Sequence, residues 1–228
     1  MADLAAGVRD RDDHRPGASS SDESERPVGH RRVGVFGGTF DPPHIGHLVT
    51  AMRVVVRLDL DVVLLVVANV PWQKTAHRRV SPAMDRLDMV AAAVGDEPSL
   101  EVCDLEVRRG GVSYTIETLE ALRESGPGDD IVLVVGSDAA NGLHTWERWE
   151  ELATMCRLAV VDRPGTSVAV PGGFTFDHVR VPLLDVSSTD LRQRVRQGLS
   201  IRFLVPEAVA SLIEERRLYR VGHDDDGQ

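Results

Sequence analysis

Gly37-Gly38-Thr39-Phe40-Asp41-Pro42-Pro43-His44-Ile45-Gly46-His47 is the stretch of sequence that decides the fold. It follows the apolar run Val33-Gly34-Val35-Phe36 and leads into a second apolar segment from Leu48. This order predicts a buried strand, a tight turn at the two glycines and a helix whose first turn carries both histidines. Paired glycines let the backbone approach a ligand closely, and a helix N-terminus offers N–H groups and a positive dipole end to phosphate.

His44 and His47 are three residues apart, so a helix would place both rings on one face, where they can bind one anion. Alternatively, a Gly-Gly pair is often only a turn, and a histidine is often only a surface or core residue. Two histidines can also bind metal, but a structural zinc site normally needs four ligands, and no Cys or third His lies nearby in sequence. The other common phosphate-binding glycine motifs are absent from the sequence. The string therefore predicts a nucleotide triphosphate site, and we expect no protein side chain to ligate a metal.

Length and composition predict one domain, or one domain plus tails, in a cytoplasmic protein. The chain has 228 residues and a formal net charge of −10, which disfavours a general nucleic-acid binder. Cys103 and Cys156 are isolated and are expected to be reduced thiols. No apolar run reaches transmembrane length, so no membrane partner is expected. The sequence leaves open whether the protein is a homo-oligomer.

Three segments are predicted along the chain. Residues 1–30 are rich in charged residues, Ser, Gly and Pro and are expected to form a disordered tail, residues 31–221 the catalytic domain, and residues 222–228 an acidic tail. An alternative for the first segment is that the native chain starts at Val28 or Val33.

Apolar runs that alternate with helical patterns predict the fold class. The β-branched runs at residues 62–67, 131–135 and 158–161 are typical of parallel strands covered on both faces. Ser81-Pro82 is a plausible N-cap and first position of a helix, and the spacing of Ile116, Leu119 and Leu122 marks another. The alternation predicts an α/β fold with a doubly wound parallel sheet, whose ligands bind beyond the carboxyl ends of the strands.

Val186-Ser187-Ser188-Thr189-Asp190-Leu191-Arg192 is the second informative segment. Helix capping alone would explain one serine before the apolar pattern. It does not explain the Ser-Ser-Thr triplet with an arginine in the first helical turn. Hydroxyls, N–H groups and a guanidinium together predict a second site for polyphosphate.

These two segments resemble the nucleotidyltransferase superfamily. His44-Ile45-Gly46-His47 is also shared with class I aminoacyl-tRNA synthetases, but their lysine-rich partner motif is missing here. The longer string, with Val186–Arg192 similar to Ile-Ser-Ser-Thr-x-x-Arg, most resembles the bacterial nicotinate mononucleotide adenylyltransferases. The resemblance covers about residues 33–220, ends on Leu218-Tyr219-Arg220, and implies a Rossmann-like nucleotidyltransferase fold.

The resemblance implies adenylyl transfer from ATP, with Mg²⁺ carried by ATP, to nicotinate mononucleotide. It assigns catalytic roles at the polyphosphate to His44, His47 and Arg192, with Lys74 as a helper. Asp41 is either an outer contact of the phosphates or an organiser of the turn. The implied ATP-binding residues are Gly37, Gly38, Thr39, Phe40, His44, Gly46, His47, Ser187, Ser188, Thr189 and Arg192.

For the acceptor, the resemblance implies contacts from Thr115, Asp138, Trp146 and Lys74. Each has an alternative: Thr115 as a helix cap, Asp138 as part of a strand-end turn, Trp146 as a core residue and Lys74 as a solvated loop residue. Trp149 is spaced to share a helix face with Trp146 and is expected to pack. The segment around Lys74, Pro71-Trp72-Gln73-Lys74, departs from the common family pattern and leaves the role of Gln73 open.

Two other functions remain at this stage. The same scaffold can serve another acceptor, such as nicotinamide mononucleotide or phosphopantetheine. The Ser-Tyr-Thr match at residues 113–115 and Trp146 argue against phosphopantetheine but separate the acid from the amide poorly. A non-catalytic nucleotide sensor is a different class, and ATP binding without pyrophosphate release would support it.

Overall fold

The computed structural model describes residues 30–71, 80–162 and 168–220, and in addition the backbone of Val8–Arg9. The expected disordered tail therefore lies almost wholly outside the described residues. Lys74, Gln73 and the acidic tail at 222–228 lie outside them as well. The predictions made for these segments stay predictions.

Within the described residues, seven parallel strands form one sheet, and the first strand has only two residues. From one edge of the sheet to the other, the hydrogen-bonded strands follow the order β1-β7-β6-β5-β2-β3-β4. The strand order reverses between β2 and β5, as in the predicted doubly wound sheet, and such a reversal places a crevice at the carboxyl ends of the strands. In chain order the strands are β1 (Val8–Arg9), β2 (Arg32–Gly38), β3 (Val62–Val67), β4 (Leu100–Cys103), β5 (Asp130–Gly136), β6 (Arg157–Asp162) and β7 (Phe176–Arg180).

Helices cover both faces of the sheet. One core cluster packs α4 and α6 against the sheet, a second packs α1 and α2 against its other face, and a third joins α2, α7 and α8. The helices are α1 (Ile45–Leu58), α2 (Ala83–Val94), α3 (Leu105–Arg109), α4 (Thr115–Ser125), α5 (Ser137–Asn141), α6 (Trp149–Met155), α7 (Ser188–Arg196) and α8 (Glu207–Glu215), with a 3₁₀ helix at Leu143–Thr145.

The interior strand β3, between β2 and β4, shows why the apolar runs predict strands well. All six of its residues are buried. Val62, Leu64 and Val66 contribute to the first core cluster, and the alternate residues contribute to the second. A strand buried on both faces needs a continuous apolar run. The runs at 131–135 and 158–161 are likewise confirmed as parts of β5 and β6.

The start of α2 differs by one position from the prediction. Pro82 is the N-cap and Ala83 the first helical residue, because the Pro82 carbonyl already accepts a hydrogen bond from the Arg86 backbone N–H at 3.2 Å. Strands β4 and β7 were not predicted. In the parts of the chain that the structure describes, no helix is both long and apolar enough to span a bilayer.

Candidate active site

Gly37 and Gly38 do not form the predicted tight turn. They are the last two residues of β2 and lie in register with Val66 and Val67 of β3. The chain turns at Phe40, whose φ is 49°, and the phenyl ring folds back over the strand. A Cβ on Gly38 would lie 2.7 Å from that ring, so the fold requires a glycine there. A Cβ on Gly37 would meet nothing within 4 Å, so a ligand can approach this backbone closely.

The two histidines meet, but only one of them is helical. His44 is the N-cap of α1, with an extended backbone (φ −145°, ψ 170°), and His47 is the third helical residue. The His44 backbone N–H donates to Nδ1 of His47 at 3.1 Å, and the ring centroids lie 3.7 Å apart. A Cβ on Gly46 would come within 3.0 Å of the His44 ring, so the glycine between them keeps this stacking possible. The predicted pairing is confirmed, and the predicted helical position of His44 is wrong because a cap residue leaves the helix.

The Ser-Ser-Thr segment begins α7 and contacts the loop after β2. Ser187 is the N-cap, and its Oγ accepts from the Asp190 backbone N–H at 3.1 Å, so the capping interpretation is correct for this residue. The Ser188 hydroxyl donates to the Pro42 carbonyl at 2.8 Å. The helix start is thereby fixed against residues 39–43, called the 39–43 loop below.

Arg192 and Tyr219 fix the same loop from inside the protein. Arg192 is 3% exposed, and its guanidinium donates to the Asp41 carbonyl at 2.6 Å and to Oγ1 of Thr189 at 3.1 Å. The Asp41 carboxylate is 1% exposed and accepts a hydrogen bond from the Tyr219 hydroxyl at 2.8 Å. Burial, and then the negative charge of Asp41, raise the pKa of Tyr219. Of the two interpretations of Asp41, the geometry supports the organiser of the turn.

The first cavity lies where the end of β2 meets the N-termini of α1 and α7. Its volume is about 500 Å³. The two helix N-termini turn positive dipole ends toward it, and the side chains supply imidazoles and hydroxyls. At the start of α1 the Ile45 N–H already donates to the Leu204 carbonyl at 3.0 Å. All the predicted ATP-binding residues except Arg192 line it, namely Gly37, Gly38, Thr39, Phe40, His44, Gly46, His47, Ser187, Ser188 and Thr189.

The second cavity lies on the other side of β2 and has a volume of about 280 Å³. Of the residues predicted for the acceptor, Thr115 and Trp146 line it. The indole N–H of Trp146 is buried and has no hydrogen-bond partner in the described part of the chain. Asp138 lies exposed in the first turn of α5, outside this lining, and Lys74 lies outside the described residues.

Trp146 and Trp149 do not share a helix face, contrary to the prediction. Trp146 follows the 3₁₀ helix, Trp149 begins α6, and Arg148 between them has a left-handed backbone with φ 50°. Both tryptophans pack against the first core cluster, as expected for Trp149.

Two further polar residues of the second cavity were missed from the sequence. Thr118 and Glu106 both line it, and the Thr118 hydroxyl donates to Oε1 of Glu106 at 2.6 Å. Thr118 lies three residues after Thr115 on α4, which is the one signal in the sequence that places it on the same face. For Glu106 no sequence signal exists.

Arg86 was missed as well. It is 1% exposed and donates to four backbone carbonyls, which belong to Thr39, Ala68, Asn69 and Ser81. The guanidinium therefore joins α2, the end of β3 and the 39–43 loop. Its signal in the sequence was its spacing, three and four residues before the buried pair Met89 and Val90.

The two cavities share one wall, made by Phe36, Gly37, Gly38 and Thr39. Two ligands bound side by side would therefore meet over the backbone at the end of β2. No group of three or more His, Cys, Asp or Glu able to hold a metal occurs among the described residues. The arrangement can align two bound molecules and stabilise phosphate charge between them.

A parallel sheet with a triphosphate-sized polar cavity and an adjoining second cavity defines a nucleotidyltransferase. The model of the cytidylyltransferase-like family matches residues 35–194. Within this class, the chain belongs to the nicotinate-nucleotide adenylyltransferase family, as its curated relatives show.

A relative from Exiguobacterium sibiricum named "Probable nicotinate-nucleotide adenylyltransferase" is 43% identical over 188 residues, covering 82% of this chain and 98% of the relative. A relative of the same name from Streptomyces coelicolor is 43% identical, covering 81% of this chain and 99% of its own. A solved structure of Plasmodium falciparum nicotinic acid mononucleotide adenylyltransferase, complexed with NaAD, has a TM-score of 0.69 at 16% identity. It covers 83% of this chain and 98% of its own and supports the fold.

Proposed function

We propose that the protein transfers the adenylyl group of ATP to nicotinate mononucleotide, releasing pyrophosphate and forming nicotinate adenine dinucleotide. The observation that carries this proposal is the shared wall at residues 36–39 between a polar cavity and a smaller cavity lined by Trp146. The names of the relatives at about 43% identity supply the acceptor.

ATP occupies the first cavity in this proposal. The stacked imidazoles of His44 and His47 and the positive dipole ends at the starts of α1 and α7 bind its phosphates. Arg192 contributes mainly by positioning, since its guanidinium donates to the Asp41 carbonyl and lies outside the cavity lining. The glycines of β2 allow the backbone to contact the nucleotide.

Mg²⁺ arrives with ATP, held by phosphate oxygens and water. The first cavity fits this arrangement. Asp41, the one carboxylate among the described residues of its lining, is 1% exposed and already accepts a hydrogen bond from Tyr219, so the phosphates rather than the protein are the ligands of the ion. The ion supplies charge neutralisation on the phosphates.

Nicotinate mononucleotide occupies the second cavity. Its ring stacks on Trp146, which lines this cavity. Thr115, the first residue of α4, contributes its hydroxyl and the N–H groups of the helix start to the ring carboxylate.

The reaction needs no covalent intermediate on the protein. A phosphate oxygen of the mononucleotide attacks the α-phosphorus of ATP, a new P–O–P bond forms, and the bond to the β-phosphate oxygen breaks with pyrophosphate as the leaving group. The attacking oxygen is already ionised near neutral pH, so no strong general base is required. The side chains stabilise charge, and the shared wall aligns the two substrates.

Purified protein with Mg-ATP and either nicotinate or nicotinamide mononucleotide tests the proposal, with pyrophosphate and dinucleotide measured. We expect a strong preference for the acid. Activity with the amide alone would keep the reaction and change the acceptor. ATP binding without turnover of either mononucleotide would overturn the proposal and favour another acceptor or a nucleotide sensor.

A further inference from the structure

Glu106 is a buried carboxylate in the wall of the second cavity. Its side chain belongs to a residue only 7% exposed, and Thr118, which donates to Oε1, is 1% exposed. Within the described residues, no Lys, Arg or His nitrogen lies within 4.0 Å of its carboxylate oxygens. Since burying an ionised carboxylate is costly unless it is paired, one hydroxyl offsets only part of that cost.

The surroundings of Glu106 indicate which chemical group of a ligand would pair with its carboxylate. Among the described residues that line the second cavity, Glu106 alone carries a charge. The same lining contains Trp146, and an aromatic face attracts a cation by its quadrupole. A carboxylate and an indole in one small cavity together favour a flat, positively charged ring.

We propose that Glu106, oriented by Thr118, is a specificity residue that selects an acceptor mononucleotide whose base carries a positive charge. This inference rests on the proposed function, in which the base is a pyridinium ring because its nitrogen bonds to ribose. The residue discriminates against mononucleotides whose ring carries no positive charge and against acceptors without a cationic ring, such as phosphopantetheine. It acts on binding and takes no part in the transfer of the adenylyl group.

The test compares nicotinate mononucleotide with its 1,4-dihydropyridine form, whose ring is neutral and no longer aromatic. The loss of aromaticity affects the native protein and Glu106→Gln alike, so the difference between these two proteins isolates the contribution of the ring charge. Dissociation constants are measured by calorimetry for both ligands, and the same comparison is made with the amide pair. We expect the native protein to bind the oxidised ligand about tenfold more tightly, or about 1.4 kcal/mol, because the Glu106 carboxylate attracts the charged ring.

Glu106→Gln keeps the shape and still accepts the Thr118 hydrogen bond, so we expect it to lose most of this preference with little change in affinity for the neutral ligand. Thr118→Val keeps the charge but frees the carboxylate and is expected to lose part of the preference. Glu117→Gln is the matched control, because this neighbouring carboxylate on α4 is 43% exposed and pairs with Arg109 at 3.2 Å. The control should keep the native preference.

A native protein with equal affinity for the charged and neutral rings would overturn the inference whatever the variants do. A folded Glu106→Gln protein with the native preference would overturn it as well. Neither result bears on the proposed function, which fails separately if the native protein with Mg-ATP converts no pyridine mononucleotide to a dinucleotide. Because the decisive quantity is a ratio of two affinities, a general loss of stability in a variant does not mimic the expected result.

Discussion

His47 connects the start of α1 to the first cavity. Its Nδ1 accepts the His44 backbone N–H, its ring stacks on that of His44, and the residue lines the cavity. We expect His47→Ala to lower kcat/KM about a hundredfold, or ~3 kcal/mol, as the loss of one charge-stabilising donor does. Steady-state kinetics measure this, with the exposed His144→Ala outside both cavities as the control. A folded His47→Ala protein with native kcat/KM would show that the ring does not act on the phosphates.

Trp146 and Trp149 provide a matched pair for the acceptor site. Both pack on the same core cluster, but only Trp146 lines the second cavity. Trp146→Ala is expected to raise KM for nicotinate mononucleotide about tenfold, from lost ring stacking, and KM for ATP much less. Trp149→Ala is expected to lower the melting temperature and leave both KM values near native. Equal increases in both KM values for Trp146→Ala would mean that the residue serves the core alone.

At the level of single residues, the sequence predicted most of those that line the first cavity, because they lie in two short motifs. It did not predict what holds those motifs together. Asp41 and Tyr219 are 178 residues apart, and their hydrogen bond leaves no local pattern. The role of Glu106 could not be predicted either, since an isolated Glu in a polar stretch is normally solvated. Arg192 was correctly placed near the phosphate motif, but its spacing could not show that the guanidinium turns toward a carbonyl.

Among the elements, α2 has a structural role that its sequence only hints at. Through Arg86 it contacts the end of β3 and the 39–43 loop by way of backbone carbonyls. Removing that guanidinium leaves several buried carbonyls without donors, each costing about 1–3 kcal/mol. We therefore expect Arg86→Met to lower the free energy of unfolding by about 3 kcal/mol or more and to raise KM for ATP.

Denaturant unfolding and steady-state kinetics measure these two effects. Arg53→Met on the exposed side of α1 is the control for loss of a charge, and it should change neither quantity appreciably. Equal stability of the two variants would show that the carbonyl contacts of Arg86 contribute little.

Strands β3, β5 and β6 were predictable because each is buried on both faces and therefore apolar throughout. Strand β7 reads Phe-Asp-His-Val-Arg and lacks that signal. Its Asp177 is 3% exposed and pairs with Arg157 of the neighbouring strand at 2.9 Å. A charge that is satisfied across the sheet allows a polar residue in a buried strand, and the partner is not identifiable from the local sequence.

For the whole molecule, the buried acidic protons of Cys156 and Tyr219 contribute to alkaline stability, together with that of Cys103, whose pKa burial also raises. Burial raises the pKa of Cys156 from 9.0 to about 12, and burial beside Asp41 raises that of Tyr219. A folded-state pKa above the unfolded value means that the unfolded chain loses the proton first. The stabilisation is therefore complete below pH 9 and is lost as the pH rises toward 12, at up to about 1.4 kcal/mol per pH unit for each group.

We expect urea unfolding between pH 8 and 11 to show a free energy of unfolding that falls above pH 9. Cys156→Ala should make that decline shallower, and Tyr219→Phe should do so above pH 10. An unchanged slope in both variants would assign the alkaline loss to other groups. Cys156→Ala should leave the low-pH limb as in the native protein, which separates this effect from a general loss of packing. Tyr219→Phe also removes the hydrogen bond to the buried Asp41, so this variant is compared only by its slope above pH 10.

The shared wall at residues 36–39 has a consequence for ligands that span it. A dinucleotide is two tethered fragments, one for each cavity, and the fragment that is already seated holds the other at a high effective concentration. Dissociation then requires both halves to leave within one rebinding interval, so avidity slows release of the product. For the same reason, two weakly binding fragments, one for each cavity, are a rational starting point for an inhibitor. A short uncharged linker would join them across the backbone of Gly37.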